Sequence, residues 1–108
     1  MLKKTPTRAK TKSKSDVPGK DKYILQLYVT GISPNSANAI VNSKKILEKY
    51  LQARYDLEVI DIYQQPDLAI KENIIAVPVM IKKFPLPEAR IIGDLSDTES
   101  VLTTLRLI

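Results

Sequence analysis

Two serines that could act as nucleophiles stand three residues apart in the run Ser33-Pro34-Asn35-Ser36. A serine hydroxyl needs a neighbouring base, usually a histidine, before it can attack a substrate. The chain contains no histidine and no cysteine, which excludes Ser-His-Asp chemistry, thiolate catalysis, disulfides and Cys/His metal sites. We therefore predict that Ser33 caps a helix whose first residue is Pro34.

Acidic side chains offer two further places for acid–base chemistry, but each has a structural explanation. Asp94 and Asp97 belong to the run Gly93-Asp94-Leu95-Ser96-Asp97, which is typical of a turn followed by a helix cap. Asp61 lies among apolar residues and suits the end of a strand. The chain also lacks the GxxxxGK[ST] loop that cradles phosphates. The sequence thus predicts no enzyme, no metal site and no cofactor.

The positive charge is concentrated at the N-terminus. Residues 1–20 hold seven basic residues and one acidic residue, a net charge of +6, whereas residues 21–108 hold 10 basic and 11 acidic residues, a net charge of −1. We predict a disordered basic arm over residues 1–21 and one folded domain over residues 22–108. Nucleic-acid association through the arm stays open as an alternative.

The elements that must position these residues begin with a strand, a helix and a second strand. Apolar side chains on both faces of residues 22–30 indicate a central strand. An amphipathic helix then runs from Pro34 to about residue 52, and residues 55–63 form the next strand. This spacing predicts a parallel pair with a right-handed crossover.

The second half is predicted to contain a short helix, a hairpin and a final helix. The short helix covers about residues 67–72, and strands over residues 76–83 and 90–95 enclose a bend that holds Pro85 and Pro87. Pro78 cannot donate to a sheet ladder, so we place it at a strand start or edge. Ser96 and Glu99 have the spacing of a capping box before a helix, although residues 101–108 would also suit a strand.

The order βαβαββα is that of a thioredoxin-like α/β fold with a mixed sheet. In that layout the bond before the proline at the position of Pro78 is usually cis. Thioredoxins carry a reactive Cys-x-x-Cys where Ser33-Pro34-Asn35-Ser36 stands here. Because a serine cannot replace a thiol in disulfide exchange, redox catalysis is excluded and a protein-binding module remains.

Six motifs in order resemble the KaiB circadian clock protein family across residues 22–108. They are Tyr23-Ile24-Leu25-Gln26-Leu27-Tyr28-Val29, Ser33-Pro34-Asn35-Ser36, Val59-Ile60-Asp61, Pro66-Asp67-Leu68-Ala69, Ala76-Val77-Pro78 and Arg90-Ile91-Ile92-Gly93-Asp94-Leu95-Ser96-Asp97. The resemblance implies a non-catalytic protein that binds the N-terminal ATPase ring of a KaiC-like protein and modulates its phosphorylation cycle. KaiA or a sensor histidine kinase pathway would be further partners. A stress or signalling role outside a full clock is the alternative.

The resemblance also implies that the C-terminal half switches fold. The binding form would be a thioredoxin-like monomer, and the resting form a βαββααβ tetramer whose last segment is a strand. Residues implied in switching are Pro78, Pro85, Pro87, Gly93, Asp94, Thr104 and Arg106. Thr104 and Arg106 stand where Gly and Asp are usual, and both favour a helical ending.

Protein-binding positions are carried over from the family in the same way. Lys82 and Arg90 are expected at the partner surface, Pro78 at the binding edge, and Asn73 at a contact position where the family usually has a basic residue. No apolar run reaches the roughly 20 residues of a membrane span, and no apolar signal segment is evident. A cytoplasmic location without membrane contact is the expectation.

Overall fold

The computed structural model describes residues 22–31 and 33–107. Its elements are β1 (Tyr23–Val29), α1 (Pro34–Tyr50), β2 (Tyr55–Asp61), α2 (Pro66–Lys71), β3 (Val79–Phe84), β4 (Ala89–Ile92) and α3 (Thr98–Thr104). The predicted βαβαββα order is confirmed, and the final segment is a helix rather than a strand. The predicted basic arm over residues 1–21 and the terminal residue Ile108 lie outside the described residues.

The sheet is mixed, with the strand order β2-β1-β3-β4. β2 pairs with β1 in parallel, as the βαβ pattern predicts, whereas β3 is antiparallel to β1 and to β4. The strand that looked central from its two apolar faces is therefore central in the structure. The final strand is shorter than predicted, since residues 93–95 form a loop.

A buried apolar layer covers each face of the sheet. The layer beneath α1 and α3 contains Leu25, Leu27, Met80, Leu47 and Val101, each at most 2% exposed. The opposite layer contains Tyr28, Ile60, Val79 and Ile81, with Leu68 of α2 packed against it. Burying each large apolar side chain contributes roughly 1.5–3 kcal/mol, so the two layers hold the helices on opposite sides of the sheet.

Local sequence signals account for the start of α1. Ser33 has an extended backbone and its side chain accepts a hydrogen bond from the Ser36 amide at 3.2 Å, while Pro34 is the first helical residue. This geometry satisfies one of the amide groups that an α-helix leaves unpaired at its N-terminus. The predicted cap and helix start are both confirmed.

The predicted cap of α3 is wrong by one residue. Asp97, not Ser96, is the N-cap, and its Oδ1 accepts a hydrogen bond from the Ser100 amide at 3.2 Å. The Ser96 amide instead donates to Asp94 Oδ1 at 3.1 Å, which commits Ser96 to the preceding turn. Glu99 lies in the first helical turn, where its negative charge favours the helix.

Among the residues described, no helix has both the length and the apolar character needed to cross a membrane.

Candidate functional site

The predicted binding residues Lys82 and Arg90 lie on opposite faces of the sheet. Lys82 pairs with Leu25 and Ala89, and Arg90 pairs with Ile81. Directly paired residues share a face, so Lys82 faces the α1 and α3 layer whereas Arg90 faces the α2 layer. These two side chains therefore do not form one cationic patch in this fold.

Lys82 is buried rather than at the surface. Only 2% of the residue is exposed, which makes the expected surface position wrong for this state of the chain. Burial lowers the pKa of the Lys82 amine, and the nearby charge of Arg106 lowers it further. Within residues 22–31 and 33–107, no acidic side chain lies within ion-pair distance of the Lys82 amine. A role for Lys82 in partner contact stays a prediction.

Arg90 belongs to an ionic cluster that consists of Glu72, Lys83, Glu88 and Arg90. The Lys83 amine lies 3.0 Å and 3.1 Å from the two Glu72 carboxylate oxygens and 3.1 Å from a Glu88 oxygen. Arg90 Nη2 lies 3.6 Å from Glu72 Oε1 and donates to the Glu72 backbone carbonyl at 2.6 Å. Glu72 is thus the centre of the ionic cluster, joining the end of α2 to the β3–β4 hairpin.

Electrostatic effects in the ionic cluster extend to the apolar layer beneath it. Hydrogen bonds to Glu72 and then to Glu88 raise the pKa of Lys83, which favours its charged form. Burial raises the pKa of the Tyr28 phenol, and the negative charge of Glu72 adds to that rise. Tyr28 Oη donates to Gln26 Oε1 at 3.0 Å. The Tyr28 phenol is therefore neutral and hydrogen-bonded, and it lies close enough to Lys83 and Arg90 for their charges to affect its pKa.

Asn73 closes α2 and thereby fixes the position of Glu72. Its φ of 60° is left-handed, a conformation that asparagine adopts more readily than most residues. The Asn73 amide donates to Ile70 O, and the Ile74 amide donates to Ala69 O, the two bonds of a Schellman motif. Asn73 thus has a clear structural role, while its predicted contact with a partner stays a prediction.

Pro78 stands immediately before β3, as its missing amide predicts. It is buried, its carbonyl accepts a hydrogen bond from the Gly93 amide at 2.9 Å, and the Val77–Pro78 bond is cis. Pro85 and Pro87 lie in the bend between β3 and β4, and the bonds before them are cis as well. The expected proline-defined hairpin is present.

The loop after β4 is held against α1. Asn42 Nδ2 donates to the Asp94 carbonyl at 2.9 Å, and Gly93 has a φ of 117°, which strains any residue with a Cβ. Leu95 has a φ of 67° and is 4% exposed, so the side chain enters the core directly after the turn. Gly93 and Asp94 therefore shape the turn that places α3.

Thr104 and Arg106 end α3 in different ways. Thr104 is the last helical residue, whereas Arg106 lies after the C-cap residue Leu105 with a φ of 62°. The Arg106 amide donates to Thr103 O and the Leu107 amide donates to Leu102 O, which again forms a Schellman motif. The expectation that Arg106 favours a helical ending did not include this left-handed backbone position, which usually suits glycine.

The serines at the start of α1 are engaged in local hydrogen bonds. Ser36 is fully buried, and its hydroxyl accepts a bond from the Thr30 amide at 3.0 Å, while the Thr30 hydroxyl donates to Ser33 Oγ at 3.3 Å. Asp61 Oδ1 accepts from the Tyr63 amide at 2.9 Å, which makes it a turn residue at the end of β2. Within the described ranges, no group of three or more acidic side chains is placed to hold a metal ion.

The KaiB domain family model matches residues 26–107 of the chain. The circadian clock oscillator protein KaiB of Synechococcus sp. is 51% identical over 86 residues, which cover 80% of this chain and 84% of the relative. KaiB of Trichodesmium erythraeum is 47% identical over 91 residues, covering 84% of this chain and 88% of the relative. The chain belongs to the KaiB family.

Solved structures similar to this KaiB-family chain have thioredoxin-like folds. The N-terminal domain of Synechococcus elongatus SasA has a TM-score of 0.66 at 25% identity and covers 90% of this chain and 95% of its own. Chloroplastic thioredoxin z has a TM-score of 0.67 at 15% identity, covering 82% of this chain and 80% of its own. The thioredoxin z likeness concerns the fold alone.

Sequence reasoning missed three members of the ionic cluster, which are Glu72, Lys83 and Glu88. Lys83 ends the first predicted strand of the hairpin, whereas Glu88 lies inside the predicted bend, so the predicted bounds do not pair them. The observed register pairs Lys82 with Ala89 and so brings Lys83 opposite Glu88. The opposite charges on the two sides of the prolines are the signal in the sequence that could have indicated this pair. The position of Glu72 depends on how α2 packs on the sheet, which local patterns do not specify.

Proposed function

We propose that this KaiB-family chain is a non-catalytic clock protein that binds the N-terminal ATPase ring of a KaiC-like protein and modulates its phosphorylation cycle. The observation that carries the proposal is the KaiB match over residues 26–107, together with 51% identity to a named clock oscillator protein. A binding role agrees with the hydrogen-bonded serines at the start of α1, which serve the helix cap.

The surface proposed for ring binding is the α2 face around Arg90. The Arg90 side chain is 37% exposed, in contrast to the buried Lys82. Exposed apolar side chains stand near Arg90 or near its contact Glu72 in the sequence: Ile92, two residues after Arg90, is 69% exposed, and Ile75, three residues after Glu72, is 93% exposed. A charged group flanked by exposed apolar residues is typical of protein-binding surfaces.

The fold observed here is proposed to be the ring-binding form. Its similarity to the SasA domain supports this assignment, since the two share the thioredoxin-like arrangement that the family resemblance implies for the binding form. We further propose that the second half of the chain can rearrange into a tetrameric form in which the last segment is a strand. KaiA or a sensor kinase pathway is proposed to respond to the complex with the KaiC-like ring.

Co-elution with the KaiC-like ATPase of the same organism tests ring binding. Full-length protein and a variant lacking residues 1–20 are each mixed with the ATPase in ATP and in ADP. We expect both to co-elute and expect Arg90→Glu to abolish the complex, whereas Lys45→Glu on the exposed side of α1 serves as the matched charge reversal. No complex in any nucleotide state would overturn the proposal.

The free chain is expected to keep the thioredoxin-like form. Backbone chemical shifts of the isolated protein should report a helix over residues 98–104. Strand-type shifts over residues 101–107 in the free protein would refute this expectation.

A further inference from the structure

The ionic cluster of Glu72, Lys83, Glu88 and Arg90 contains one carboxylate that contacts both basic side chains. The Lys83 amine is within 3.1 Å of both Glu72 oxygens, and Arg90 Nη2 is 3.6 Å from one of them. The two basic residues face the same side of neighbouring strands. A single carboxylate placed between them therefore contacts both, and Glu88, 3.1 Å from the Lys83 amine, supplies the second negative charge of the ionic cluster.

Glu72 holds this position in a partly solvated environment. The exposed side-chain fractions are 18% for Glu72, 29% for Lys83 and 37% for Arg90. Ion pairs in such surroundings contribute little net free energy because water competes for both partners. A carboxylate brought by another protein, with exclusion of that water, can match or exceed the internal contact.

Arg90 also has a second contact, which does not involve the Glu72 carboxylate. Its Nη2 donates at 2.6 Å to the backbone carbonyl of Glu72, at the C-terminal end of α2 where a positive charge is favoured. This bond would persist if the Glu72 side chain turned away. The guanidinium would then stay in place with donors directed toward an incoming acidic group.

We propose that Lys83 and Arg90 receive an acidic side chain of the ring partner and that Glu72 is the internal carboxylate which this side chain displaces. The inference rests on the proposed ring binding and adds the chemistry of the contact. Ile92, 69% exposed and two residues beyond Arg90 on the same face, gives the partner an apolar contact beside the charge.

The decisive variant is Glu72→Gln, which keeps the length of the side chain and the backbone carbonyl but removes the negative charge. Titration of the KaiC-like ring with wild type and Glu72→Gln should give about fivefold tighter binding for the variant, since the cost of breaking the partly solvated ion pairs of Glu72 is removed. Glu58→Gln is the matched control, because Glu58 is exposed on β2 and the change in net charge is the same. Circular dichroism checks that each variant is folded.

The outcomes separate this inference from the proposed function. Tighter binding by Glu72→Gln alone, or ring binding by that variant and not by wild type, supports the displacement. If wild type binds and Glu72→Gln binds equally or more weakly, or if Glu58→Gln gains as much, the displacement is refuted and ring binding stands. Absence of binding by every protein overturns the ring-binding proposal and this inference together.

Discussion

Arg106 occupies a backbone position that suits glycine. Its φ of 62° belongs to the left-handed region, where the Cβ of an ordinary residue crowds the following carbonyl. The side chain also lies close enough to the buried Lys82 for its charge to lower the pKa of that amine. Two unfavourable effects therefore meet at one residue, although the Schellman hydrogen bonds hold it in place.

Replacing Arg106 by glycine should stabilise the chain. We expect Arg106→Gly to raise the free energy of unfolding by about 1 kcal/mol, because glycine adopts the left-handed conformation without a steric penalty. Urea denaturation measures the change. Arg106→Ala removes the charge but keeps the Cβ, so an equal gain in that variant would assign the effect to charge rather than to backbone conformation.

Lys82 gives a second prediction, with a defined pH dependence. Its pKa in the folded chain lies below the ordinary 10.5, so the buried charge costs stability in full below the folded pKa. Lys82→Met should raise the free energy of unfolding at neutral pH by about 1 kcal/mol, since an apolar side chain fits the buried site. The advantage should shrink as the pH rises from the folded pKa toward 10.5.

Thermal unfolding between neutral pH and pH 10.5 measures this trend. Lys44→Met, at an exposed position on α1, is the matched control and should leave the stability nearly unchanged. A loss of stability in Lys82→Met at neutral pH would show that the amine has a favourable partner in the folded chain.

At the scale of elements, the start of α3 depends on Asp97. Asp97→Ala should lower the free energy of unfolding by about 1 kcal/mol, because the Ser100 amide loses the oxygen that accepts its hydrogen bond. Ser96→Ala should have little effect, since the cap does not use the Ser96 side chain. Chemical denaturation of the two variants compares them directly, and a larger loss in Ser96→Ala would contradict the observed cap.

The two caps illustrate what local sequence can specify. Ser33 has one suitable helix start beside it, Pro34, so the start of α1 follows from the sequence. At α3, both Ser96 and Asp97 are good cap residues. The choice depends on the turn at Asp94, whose carbonyl accepts a hydrogen bond from Asn42 on a distant helix. This contact joins residues that are far apart in the sequence, so local sequence patterns cannot predict it.

The candidate site also combines features that local sequence specifies with features that depend on tertiary contacts. The alternation of strand side chains places Lys82 and Arg90 on opposite faces only once the register Ile81↔Arg90 is known. Register comes from the length and geometry of the bend, where Pro85 and Pro87 fix the backbone. Arg90 was predicted as a binding residue from the family resemblance. Its contact with Glu72 depends on how α2 packs on the sheet, and the sequence did not predict it.

On the scale of the whole molecule, the last helix is tied to the first strand. Tyr23 Oη donates to the Leu105 carbonyl at 3.0 Å in a buried setting, which joins residues 82 positions apart. This bond satisfies a carbonyl that the end of α3 would otherwise leave unpaired inside the protein. The stability of α3 therefore depends on β1 as well as on its own caps.

Removal of this hydroxyl should weaken the whole domain. We expect Tyr23→Phe to lower the free energy of unfolding by about 1–2 kcal/mol, because the Leu105 carbonyl loses its buried donor. Amide hydrogen exchange should accelerate most in α3. Tyr63→Phe is the control, since Tyr63 is 76% exposed, and equal losses in both variants would contradict the importance of the buried bond.

The central position of β1 has a consequence for any rearrangement of the chain. β1 shares one ladder with β2, from its own half, and another with β3, from the other half, in a register from Ile24↔Phe84 to Tyr28↔Val79. In the described structure, that second ladder is the sheet pairing that joins the first half of the chain, from β1 to β2, to the second half, from α2 to α3. If β3 leaves, the amides and carbonyls of residues 24–28 that are directed toward β3 lose their partners, and β1 becomes an open edge strand. A different arrangement of the second half must therefore protect that edge, by pairing it with another strand of the same chain or of a second copy, or by covering it with a helix or loop.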